Sequence, residues 1–64
     1  MKLKLYILKD GFKEFVLMET AEFIAFEPPP SQVVRFYPRK GGSIFECYKI
    51  VVIPEGYIAE ISED

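Results

Sequence analysis

The chain contains no histidine, no tryptophan and a single cysteine, Cys47. Without histidine the usual proton shuttle near neutral pH is missing, and acid–base chemistry would fall to carboxylates, tyrosines, lysines or that one thiol. A lone cysteine excludes a disulfide within the chain. With no histidine and no acidic loop spaced for a metal, neither a metal nor a cofactor is expected. Cys47 lies among Phe45, Glu46 and Tyr48, with no base to activate it and no glycine-framed turn to present it. It reads as a packing residue of a chain kept in a reducing compartment. Gly41-Gly42 is not preceded by a glycine at phosphate-loop spacing and is not followed by Lys-Ser or Lys-Thr, so it reads as a turn. The expectation is a chain that is not an enzyme.

Long apolar runs are also absent. No stretch approaches the roughly 18 residues that span a membrane. At the N-terminus, Leu3, Leu5 and Ile7 alternate with Lys2, Lys4 and Tyr6 instead of forming the continuous apolar segment of a secretion signal. A soluble, cytoplasmic chain without a membrane partner is expected.

Half of the 64 residues are hydrophobic and 16% are aromatic, which places the chain among those that pack a core. A chain this short buries only about 60% of the surface its unfolded form exposes. It therefore needs help, and with disulfides and metals set aside, oligomerisation of identical copies remains.

The pattern is one of strands. Lys2–Leu8 alternates as a half-buried strand, and Phe12–Met18 is a second. Lys9-Asp10-Gly11 between them reads as a three-residue hairpin loop, which sets Leu5 opposite Phe15 and Leu3 opposite Leu17; a two-residue Asp-Gly turn would put Glu14 opposite Ile7 on the buried side. Phe23–Phe26 favours a third strand over a short helix near 20–26, because it is aromatic and β-branched. Pro28-Pro29-Pro30 offers no amide donors and reads as a connector between two halves. Gln32–Tyr37 is a fourth strand. Ser43–Ile53 is expected to be the longest, and from Ile50 onward both its faces are apolar, so both should be covered. Pro54-Glu55-Gly56 is a turn that would pair Val52 with Ile58 and Val51 with Ala59. The fold class expected is all-β: a single domain over residues 1–64 with five to six short antiparallel strands in two meanders, closed as a small barrel or stacked as a sandwich.

Charge alternates in blocks. Residues 1–13 hold Lys2, Lys4, Lys9 and Lys13 against Asp10, and residues 14–30 hold Glu14, Glu19, Glu22 and Glu27; residues 31–50 are basic again and 51–64 acidic. Such blocks either decorate solvated edges or pair between copies. The one constellation with ligand-like chemistry is Arg35-Phe36-Tyr37-Pro38-Arg39-Lys40, where cations and rings interleave. Mixtures of this kind bind single-stranded nucleic acid, although a net charge of −2 argues against a polyanion. The favoured reading is a protein-binding accessory or inhibitor-type module that acts through an open sheet edge and this aromatic-basic patch. Its contact residues would be Arg35, Tyr37, Arg39 and Lys40, with Tyr6 and Tyr48 in reserve. The alternatives are a single-stranded nucleic-acid binder and a homo-oligomeric structural subunit.

Overall fold

The computed structural model describes residues 1–63. The strands are β1 (Lys2–Lys9), β2 (Phe12–Thr20), β3 (Phe23–Glu27), β4 (Val33–Tyr37), β5 (Lys49–Val52) and β6 (Tyr57–Ser62), with one 3-10 turn at Ile44–Glu46. They form two antiparallel three-stranded sheets, ordered β2-β1-β6 and β3-β4-β5. The fold is all-β as the alternation requires, residues 23–27 are a strand, and the sheets do not close into a barrel. No helix among the described residues is long and apolar enough to cross a membrane.

The partition of strands differs from two sequential meanders. β6 pairs with β1, placing Ala59 opposite Leu5 and Ile58 opposite Tyr6, so Pro54-Glu55-Gly56 carries the chain from one sheet to the other instead of closing a hairpin with β5. The proline segment does the reverse. It joins β3 to β4 within one sheet, with the Gln32 amide donating to the Pro28 carbonyl at 3.4 Å. The reason lies in β1: Leu3 and Leu5 are both buried, and a strand that deeply covered is stabilised by ladders on both sides.

The first hairpin turns on two residues. Asp10 and Gly11 both take positive φ, 53° and 81°, the arrangement whose twist matches the flanking strands. Glu14 does face Ile7, but this end of the hairpin is open to solvent, so the carboxylate is not buried. A bulge then shifts the register, and Leu5 pairs with Leu17 while Leu3 pairs with Glu19.

The core joins Leu3 and Leu5 to Ile24, Val34, Phe36 and Ile53, with Met1, Ala21, Val51, Tyr57, Ala59 and Ile61 packed around them. Each fully buried side chain contributes about 2 kcal/mol. The second sheet has strands of four and five residues against eight and nine in β1 and β2, so it covers only part of the first. The distal half of the β1–β2 hairpin overhangs it. The radius of gyration is accordingly 12.1 Å, against about 11 Å for a compact chain of this length.

Ser43–Ile53 is not one strand. The 3-10 turn takes Ile44–Glu46 and only Lys49–Val52 remains extended, as the edge of its sheet. Ile50 and Val52 are exposed on its outer face, so within the chain only one face is covered. Cys47 is half-buried, its thiol donating to the Lys49 carbonyl at 3.3 Å.

Candidate partner-binding surface

The residues of the aromatic-basic patch do not form one surface. Tyr37 is buried and packs on Phe23, ring centroids 5.9 Å apart. Arg35 donates from Nη1 to the Glu27 carboxylate across the outer face of the β3-β4-β5 sheet. Tyr6 lies on the other sheet, edge-on to Phe15 at 6.0 Å with the Lys13 ammonium 4.5 Å above its ring. Tyr48 leans on Phe36 at 6.4 Å and is otherwise exposed. Arg39 and Lys40 are exposed in the segment that follows β4.

Three of the four ion pairs among the described residues join a basic block to an acidic one: Lys13 to Glu60, Arg35 to Glu27 and Lys49 to Glu19. Four of the eight cations are thus paired within the chain. Partly exposed pairs of this kind contribute little stability, yet they leave fewer cations free for a ligand.

The Arg39–Glu46 pair has a different consequence. Arg39 donates from Nε to Glu46 Oε2 at 3.1 Å and from Nη2 to Oε1 at 3.2 Å, a two-point fork. The same carboxylate accepts the Ser43 amide at 2.8 Å, and the Ser43 hydroxyl accepts the Phe45 amide at 3.2 Å. This reciprocal cap holds the turn from its first residue. The Arg39 guanidinium and the Ser43 amide hold the Glu46 carboxyl below the ordinary carboxylate range. Gly42 is part of the device, because a Cβ there would stand 2.5 Å from Glu46 Oε1.

What the turn holds out is Phe45, with 93% of its surface exposed, beside an exposed Ile44. Tyr48, Ile50 and Val52 continue the open apolar surface along the β5 edge. The strand-like pattern of the segment masks Phe45 and Ile44. The signal was available in Ser43-x-x-Glu46, the spacing of a capping box. The second open surface is the β1–β2 hairpin. Leu8, Phe12, Phe15, Val16, Leu17 and Met18 are all exposed there, and no residue of β2 is buried.

The described residues hold no pocket and no cluster of three or more His, Cys, Asp or Glu side chains able to hold a metal. No family model, curated protein or solved structure matches the chain.

Proposed function

We propose that this chain is a small cytoplasmic accessory or inhibitor-type module without catalytic activity, which binds a protein partner through Phe45 and the β5 edge. The observation that carries the reading is Phe45 itself, an aromatic ring 93% exposed on a turn tied by six hydrogen bonds of its cap, fork and backbone. An exposed aromatic normally loses rotamer and loop entropy on binding. Here the loop is already ordered, which lowers the cost of binding, and aromatic side chains, phenylalanine among them, are enriched at the cores of protein interfaces. The adjoining edge strand offers unpaired backbone groups for strand addition, and Lys40 adds a cation that has no ion-pair partner among the described residues.

The test is a photo-reactive phenylalanine analogue at position 45 in cells of the source organism, with the same analogue at Glu55 as the control. A discrete cross-linked protein at position 45 alone, lost when Arg39→Glu and Lys40→Glu are added, supports the reading. Equal labelling at both positions, or none, refutes it. The single-stranded nucleic-acid reading has less support, because Arg35 and Arg39 are held by carboxylates and Tyr37 is buried. Anisotropy of a labelled single strand at two salt concentrations separates the two. Micromolar binding that weakens steeply with salt would replace the protein reading.

A further inference from the structure

The charges of the β2-β1-β6 sheet are sorted by face. Leu3 and Leu5 are buried in the core, so Lys2, Lys4, Tyr6 and Leu8 of β1 point away from it, and a cross-strand partner shares the face of the residue it stands opposite. On this outer face Met18 and Glu60 flank Lys4, Phe15 and Ile58 flank Tyr6, and Lys13 stands opposite Leu8. Glu14 and Glu19 stand opposite Ile7 and Leu3, on the other face. The outer face therefore holds three of the four lysines in these strands and one of their three carboxylates. Lys13 and Glu60 satisfy each other across the Tyr6 ring. Lys2 and Lys4 have no ion-pair partner among the described residues. Beside them the face is apolar: Tyr6 and Ile58 are half-buried, and Leu8, Phe15 and Met18 leave between 48% and 57% of their surfaces open.

We infer that this face docks an acidic amphipathic helix of a partner protein, whose carboxylates meet Lys2 and Lys4 and whose apolar stripe covers the surface from Met18 to Leu8. β1 is paired on both sides, so the face offers side chains and no free backbone groups of its central strand. What covers such a face is a helix or a second sheet, and a helix is the cover that one contiguous segment supplies. From Lys2 to Leu8 the face runs about 20 Å at the rise of an antiparallel strand, the length of about 13 helical residues. The charge of the occupant follows from where the cations stand. Lys2 and Lys4 lie at one end, whereas Glu60 turns toward Lys13 over the Tyr6 row. A partner charged along its whole length, such as nucleic acid or an anionic bilayer, brings negative groups over that carboxylate as well. A helix presents carboxylates at the Lys2 end and apolar side chains over the rest, which is the complementarity the face asks for. Bases also lack an open platform, because the Lys13 ammonium lies 4.5 Å over the Tyr6 ring and Phe15 meets that ring edge-on. Phe45 belongs to the segment between β4 and β5 of the other sheet. The two surfaces share no residue, so the chain with both occupied is an adaptor, and either proposal can fail alone.

The probe is a fluorescein-labelled synthetic helical peptide of about 14 residues, with glutamates in its first turn and leucines at helical spacing beyond it. A second peptide carries lysines in place of the glutamates. Titrated with the full chain, the acidic peptide should bind at micromolar concentration and the basic one at least about tenfold more weakly. Lys2→Glu combined with Lys4→Glu should reverse that preference, Phe15→Ser should weaken both peptides, and Glu55→Gln should change neither. If a variant does not fold, the amide resonances of the parent chain decide: those of Lys4, Tyr6, Met18 and Ile58 should move on addition of the acidic peptide while that of Phe45 stays fixed. Equal affinity for the two peptides, binding of neither, or shifts at Phe45 without shifts on this face overturn the inference. Tighter binding of an oligothymidylate or of phosphatidylglycerol vesicles than of the acidic peptide overturns it equally.

Discussion

Lys49 on β5 reaches across the two sheets to the carboxylate of Glu19 on β2, and its ammonium lies 5.7 Å from the centroid of the Phe36 ring. Glu19 stands opposite Leu3 and Lys49 opposite Phe36, so the pair closes the margin of the core between the sheets. Both side chains remain partly exposed, at 31% and 45%, which limits what the pair contributes. A double-mutant cycle of Glu19→Gln and Lys49→Met, followed by urea unfolding, should give a coupling of about 0.5–1 kcal/mol that shrinks with added salt. A coupling well above that range would show the pair to be shielded from water.

The core itself has little reserve. Phe36 is 1% exposed and belongs to the core cluster to which both sheets contribute, so Phe36→Ala should cost about 3–5 kcal/mol. In a chain of this size that is a large share of the total stability. Circular dichroism at 25 °C should show the variant largely unfolded, and a cooperative native transition near that of the parent would contradict the assignment.

Gly11 occupies φ 81°, with nothing within 4 Å of the position a Cβ would take. Space is therefore not the constraint; the left-handed backbone is. Gly11→Ala should destabilise by about 1–2 kcal/mol, whereas Asp10→Gly, at a neighbour with φ 53°, should be tolerated. Denaturation midpoints of the two variants compare them directly.

The cap at Phe45 should respond to acid. The fork to Arg39, followed by the Ser43 amide, lowers the Glu46 pKa. Its contribution is present above the unfolded-state value of about 4.3 and is lost as pH falls through the lower folded value. Lys13 is the opposite case: hydrogen bonding to Glu60 raises its pKa, so its contribution is lost only as pH rises through that higher value. The Ser43 and Phe45 amide resonances should shift together below pH 4 while those of β1 stay fixed. Gly42→Ala should produce the same loosening at neutral pH, because its Cβ displaces the Glu46 carboxylate. Unchanged amide shifts in that variant would remove the cap as the cause of order at Phe45.

By itself the sequence determined the strands. Period-two alternation in β1, β-branched and aromatic content in β3 and β4, and the breakers between them are local properties, and these strands formed where those properties place them, whereas Ser43–Ile53 kept only Lys49–Val52 as strand. Cation and carboxylate blocks are legible as well, whereas the Ser43-x-x-Glu46 cap is masked by the strand-like residues on either side of it. Tertiary structure alone decided the pairing. β6 chose β1 because Ile61 and Ala59 complete the face that Leu3 and Leu5 present to the core, a match between residues more than fifty positions apart that no local pattern encodes. The same choice left β2 and β5 as edges and dispersed Arg35, Tyr37, Arg39 and Tyr6 over two sheets and a loop. Their neighbourhood in sequence, or their shared chemistry, says what each side chain can bind; only the partition of strands says which of them face the same partner.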